Sequence, residues 1–152
     1  MLFKIKQDAS DIPKTFGYKL NNNLATLSDE EDACTKPQWA YLFAKNIPGA
    51  DIEKCQEAAC KSPHYAFMFA LDIPGADIEK YQGAACKNYD SAYAFALNIP
   101  GADIEKCQEE ACKNPIYAYW FAKYISGADK EKCRNACEGI KLAYYFAKNI
   151  PK

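Results

Sequence analysis

Net charge, histidine and long apolar runs are what this sequence has least of. Formal charge is −1, from 19 basic and 20 acidic side chains. Nucleic-acid binding draws on clustered positive charge, so this balance argues against it. No stretch approaches the roughly 18 consecutive apolar residues of a membrane span. Residues Met1 to Gln7 lack the apolar core of a signal peptide. A soluble protein of the cytoplasm is expected. His64 is the sole histidine. No Ser/His/Asp set, phosphate-cradling glycine loop or metal motif accompanies it, so no enzyme, cofactor or metal is expected.

What the sequence does have is a repeated string. Ile-Pro-Gly-Ala-Asp stands at Ile47 to Asp51, Ile73 to Asp77 and Ile99 to Asp103, with a worn copy at Ile125 to Asp129 and a truncated one at Ile150-Pro151. The step is 26 residues, and 25 at the last. Periods of this size point to stacked helical units that cannot bury their apolar faces alone.

Each unit reads as two short helices. Pro37, Pro63 and Pro115 suit a first helical turn, where a missing N–H costs nothing. Ser62, Asn88 and Asn114 precede that turn as N-caps. The spacing predicts a first helix from Pro37 to about Asn46. The proline of the string then ends it, glycine permits the turn, and Asp51 caps a second helix from Ile52 to about Lys61. In the first helix Ala40, Phe43, Ala44 and Ile47 share a face, and the same types recur in all five copies. Tyr41, Phe67, Tyr93, Tyr119 and Tyr144 flank that face, while Ile52, Cys55 and Ala59 point inward from the second helix.

Eight cysteines fall in two columns, Cys34, Cys60, Cys86, Cys112 and Cys137 in one, Cys55, Cys107 and Cys133 in the other, with Tyr81 completing the second. Neighbours down a column lie about one helix spacing apart, too far for a disulfide. Cys55 and Cys60 point different ways on one helix. The expectation is a ladder of buried, reduced thiols. With no CxxC pair, zinc is not favoured.

Residues 1–36 do not repeat and read as an N-terminal cap. Alternation in Leu2 to Lys6, and more loosely in Thr15 to Leu20, suggests an extended arm or hairpin. Asn21 to Asn23 reads as a loop. Ser28 with Glu31 reads as a capping box opening a short helix through Cys34. The repeats then run over 37–152, with starts near 37, 63, 89, 115 and 140. The fold expected is all-α: an α/α solenoid of about nine or ten short helices with a non-repeating cap.

Function is sought in what varies between copies. Opposite the shared apolar face lie Gln38, Leu42 and Lys45, then His64, Met68 and Leu71, then Asp90, Ala94 and Leu97. Ile116, Trp120 and Lys123 follow, and finally Lys141, Tyr145 and Lys148. A solvated face should be polar, yet this one carries large apolar side chains rimmed by charge, which marks an interaction surface. The partner expected is another protein, with Trp120, Tyr145, Met68 and Leu42 as anchors. One rival is RNA or nucleotide binding, with Lys45, Lys123, Lys141 and Lys148 on phosphates and Trp120 and Tyr145 stacking on bases. Another is a homo-oligomer joined through the last helix, Leu142 to Asn149. Repeated Glu-Lys pairs such as Glu53-Lys54 read as a solvated surface.

The string Tyr-Ala-Phe-x-Phe-Ala-x-x-Ile-Pro-Gly-Ala-Asp-Ile-Glu-Lys, followed by Cys-Gln-Glu-Ala-Ala-Cys, resembles short tandem α-helical repeats in bacterial and bacteriophage proteins. The resemblance covers about Pro37 to Lys152 and brings no catalytic residues. It implies a bacterial host cytoplasm and an adaptor or inhibitor, such as a phage-encoded inhibitor of a host defence protein.

Overall fold

A computed structural model describes residues 16–138 and 141–150. Among these the chain is all-helical, with eleven α-helices packed on one another and no strand. The N-terminal elements are α1 (Phe16–Asn21), a 3-10 turn at Leu27–Asp29, and α2 (Glu30–Ala33). Longer and shorter helices then alternate: α3 (Pro37–Asn46), α4 (Ile52–Ala59), α5 (Pro63–Asp72), α6 (Ile78–Ala85), α7 (Tyr89–Asn98) and α8 (Ile104–Ala111). They continue as α9 (Pro115–Tyr124), α10 (Lys130–Ala136) and α11 (Leu142–Asn149). α3, α5, α7 and α9 each pack on the short helix that follows and on the helix after that, so α3, α5, α7, α9 and α11 lie in succession.

Local chemistry explains the boundaries. Asp51, Asp77, Asp103 and Asp129 each accept a hydrogen bond from the backbone N–H three residues on, at 3.1 Å. This satisfies one orphan donor and sets a carboxylate at the positive end of the helix dipole. The turn glycine is left-handed, φ 84° at Gly49 and 82° at Gly127. Ser126 replaces proline in the fourth turn, yet Ile125 still leaves the helical region at φ −96°, ψ 120°. Glycine and the aspartate cap therefore suffice there. Asn88 and Asn114 cap α7 and α9 through their side chains, whereas Ser62 occupies the cap position without a side-chain bond.

The core is a file of phenylalanines. Phe43, Phe69, Phe95, Phe121 and Phe146 are each fully buried, as are Ala40, Ala66, Ala92 and Ala118 beside them. Ala lets neighbouring helices approach while Phe fills the space between, each buried ring contributing about 1.5–3 kcal/mol. The last helix has a more open flank, with Ala147 exposed.

Four sequence expectations change. Residues 16–20 are helical rather than extended, because Phe16 buries against Phe43 and Trp39, with ring centroids 5.5 and 6.0 Å away. Gly17 lies flat on Trp39, where an added Cβ would meet the ring at 2.8 Å. This helix is the one beyond the expected number. The capping box stands at Thr26 and Asp29, not Ser28 and Glu31: the Thr26 N–H donates to the Asp29 carboxylate at 2.9 Å, and Lys19 pairs with the same carboxylate. Burial alone would raise the Asp29 carboxyl, but the Lys19 and Thr26 hydrogen bonds outweigh it and hold it below its usual range. Ile52 is exposed, and α4 instead buries Cys55, Gln56, Ala58 and Ala59. Tyr144 is exposed, although Tyr41 and Phe67 of the same column are buried. The alternating segment Leu2 to Lys6 lies outside the described residues.

Candidate functional site

The variable positions fall on the longer helices, and most of them reach solvent. Lys45 on α3, His64 and Leu71 on α5, Leu97 on α7, and Ile116, Trp120 and Lys123 on α9 are exposed. So are Lys141, at the N-cap of α11, and Tyr145 and Lys148 on α11. Leu42 and Met68 are not free anchors: both are half-buried against the core. The helix wheel placed them opposite the phenylalanine face of their own helices, yet both pack partly against the core.

An aromatic cluster joins α7 to α9. Trp120 lies 5.3 Å from Tyr117 edge-on and 6.1 Å from Tyr93. Tyr117 in turn lies 5.0 Å from Tyr89 and 5.8 Å from Tyr93. Such contacts fix ring orientations beyond what burial alone does. Trp120 is 39% exposed, Tyr89 38% and the adjoining Ile116 51%. Tyr93 and Tyr117 are half-buried beneath them, and burial raises both phenols above their ordinary range. Tyr89 and Tyr117 were missed by the sequence reading. A signal existed for Tyr89: it stands where other copies have proline.

The α3–α5 end of the surface is tied together differently. Lys45 Nζ donates to the Asp72 carboxylate at 2.7 Å and to the Tyr41 hydroxyl at 2.9 Å, and the Tyr41 hydroxyl donates to Asp72. The bond to Asp72, then that to Tyr41, raises the Lys45 ammonium, and Lys45 and Tyr41 together lower the Asp72 carboxyl. Lys45 is thus engaged within the chain. Lys123 sits over the Tyr119 and Tyr124 rings at 5.7 and 5.1 Å. His64 meets Tyr65 edge-on at 5.1 Å. The sequence-predicted residues are therefore spread over successive helices, and of them Trp120 joins the aromatic cluster.

Two further relations between copies were invisible in the sequence. Gln82 clasps the backbone of Asp103: its amide donates to the Asp103 carbonyl at 2.7 Å and accepts from the Asp103 N–H at 3.0 Å. Gln108 does the same to Asp129, at 2.6 and 2.9 Å. At the corresponding place in the cap, Glu30 accepts from the Asp51 N–H at 2.8 Å. The second relation concerns the thiols. Each pair brings a first-column cysteine to a second-column cysteine of the following copy, a combination the column argument did not consider. Sγ to Sγ distances are 3.8 Å for Cys34 and Cys55, 3.3 Å for Cys86 and Cys107, and 3.7 Å for Cys112 and Cys133.

Among the described residues no group of three or more His, Cys, Asp or Glu is arranged to hold a metal, and no helix is long and apolar enough to cross a membrane. Comparison with protein-family models, curated proteins and solved structures gave no match. The resemblance to bacterial and bacteriophage repeats rests on the motif alone.

Proposed function

We propose that the chain is an α/α solenoid acting as a non-enzymatic protein-binding scaffold, an adaptor or inhibitor, through the outer face of its longer helices. The observation that carries this reading is the exposed cluster of Trp120, Tyr89 and Ile116 over Tyr93 and Tyr117. Trp and Tyr dominate binding energy at protein interfaces because a large apolar ring carries a polar tip. Here the rings are already held by one another, so less side-chain freedom is lost on docking. Leu71 on α5 and Leu97 on α7 add exposed apolar side chains, and Lys123 and Lys148 add exposed positive charge.

The test is a photo-crosslinking residue at position 116 in cells of the source organism, compared with one at the exposed Glu105. A discrete protein adduct from 116 alone, lost on Trp120→Ala with helicity intact, is expected. Equal adducts from both positions, or persistence in Trp120→Ala, sinks the reading. A second reading, association of two copies through α11, draws on the exposure of Tyr144 (66%) and Tyr145 (53%). Sedimentation with and without Tyr145→Ala distinguishes it.

A further inference from the structure

The cysteine pairs follow a rule. Cys34, Cys86 and Cys112 each stand at the C-cap of a short helix, α2, α6 and α8. Their partners Cys55, Cys107 and Cys133 lie inside the next short helix, α4, α8 and α10. In every pair the first thiol is partly exposed and the second fully buried. Sulfurs at 3.3–3.8 Å are in contact but unbonded, and a disulfide needs them at about 2.05 Å. One position breaks the ladder. Tyr81 replaces the cysteine that would face Cys60, and its ring stacks on Phe69 at 5.1 Å. The Cys137 thiol donates instead to the Pro115 carbonyl at 3.3 Å.

We propose that Cys34 with Cys55, Cys86 with Cys107 and Cys112 with Cys133 are three dithiol sites. Each closes to a disulfide by exchange with a low-molecular-weight disulfide. In the first step the accessible thiolate attacks the small disulfide, forming a mixed disulfide and releasing one small thiol. In the second the buried cysteine, deprotonated as it attacks, displaces the other small thiol and closes the protein bond. Each site thereby loses two hydrogens, and one small disulfide becomes two thiols. The half-buried, half-open arrangement gives each cysteine its role: the accessible one attacks the small disulfide, and the buried one resolves the mixed disulfide.

The surroundings differ between sites. The Cys107 hydrogen bond, with help from Lys106, lowers Cys86, and the Cys133 hydrogen bond with Lys132 lowers Cys112. Cys34 is raised by burial, with Glu30 adding to it. Once closed, α2 is stapled to α4, and α6, α8 and α10 to one another. The joint between α4 and α6 stays open because Tyr81 occupies it.

The experiment treats the reduced full chain with glutathione disulfide, blocks remaining thiols after denaturation, and maps the peptides by mass. Expected are the three named links, with Cys60 and Cys137 alkylated. In Cys107→Ser the Cys86 adduct cannot resolve, so one glutathione remains there while the other two links form. Cys137→Ser should leave all three links intact. Links that include Cys60 or Cys137 in a chain of unchanged helicity overturn the proposal. So does glutathione retained at Cys34, Cys86 and Cys112 of the unaltered chain without internal links, or no reaction at all.

Discussion

The glutamine clasp can be tested by its own column. Gln108 is 2% exposed and makes two hydrogen bonds to the Asp129 backbone, at 2.6 and 2.9 Å. Its amide also reaches the Cys133 sulfur at 3.2 Å. Gln108→Ala removes both strong bonds at about 1 kcal/mol net each, and buried side-chain bulk worth about another 0.8 kcal/mol. The expected cost is about 3 kcal/mol. One repeat later the same position is Arg134. Its guanidinium pairs instead with Glu131 at 2.9 Å, a carboxylate 72% exposed, and lies over the Phe146 ring at 5.6 Å. An exposed pair contributes about 0–1 kcal/mol, and the half-buried Arg134 over the buried Phe146 ring about 1 kcal/mol. Arg134→Ala should therefore cost about 1 kcal/mol. Urea unfolding followed by circular dichroism reads both, provided the slope is unchanged from the parent. Equal losses in the two variants, or a Gln108→Ala loss below about 1 kcal/mol, would show that the clasp is not what joins these copies.

Three more expectations follow from single observations. The Tyr81 hydroxyl is buried without a hydrogen-bond partner, so Tyr81→Phe should stabilise by about 1 kcal/mol. For a chain of this length that raises Tm by about 2–4 °C, read by calorimetry, and a lower Tm would refute it. Phe95→Ala, at a fully buried ring, should cost about 3–5 kcal/mol, while Leu97→Ala, 48% exposed, stays within about 0.5 kcal/mol in the same urea assay. Comparable losses would contradict the assignment of core and surface on α7. Asp72 is held below its ordinary carboxyl value of 3.8 by Lys45 and then Tyr41. A depressed pKa contributes stability above the unfolded value that is lost as pH falls through the folded one. Asp72→Asn should be less stable than the parent at neutral pH, with the gap closing below pH 3.8. A gap independent of pH would dismiss the ion pair as its cause.

Helix boundaries were legible from sequence because their causes are local. Proline at a first turn, glycine at positive φ and aspartate at a cap act within a few residues, so α3, α5 and α9 begin and end where the string implies. The buried phenylalanines were legible too, since their face repeats at helical spacing inside each helix. The first helix was not. Six residues from Phe16 carry too little pattern to separate helix from strand, and the deciding partner, Trp39, is remote in the chain. The candidate surface was partly legible: Trp120 and Ile116 emerged as exposed variable positions, whereas the half-burial of Leu42 and Met68 was not to be read from the period of their own helices.

The amino-acid sequence by itself determined that most of the chain is helical, where most helices start and stop, and which face of α3, α5, α7 and α9 turns inward. Only the tertiary structure decided what meets across successive copies: Gln108 on the Asp129 backbone, Tyr117 between Tyr89 and Trp120, and Cys86 on Cys107 rather than on its own column. The physical reason is that the period of one helix sets a direction around its axis and nothing more. How far the next helix is displaced and rotated is set by packing between phenylalanine and alanine, and that offset chooses which side chains touch.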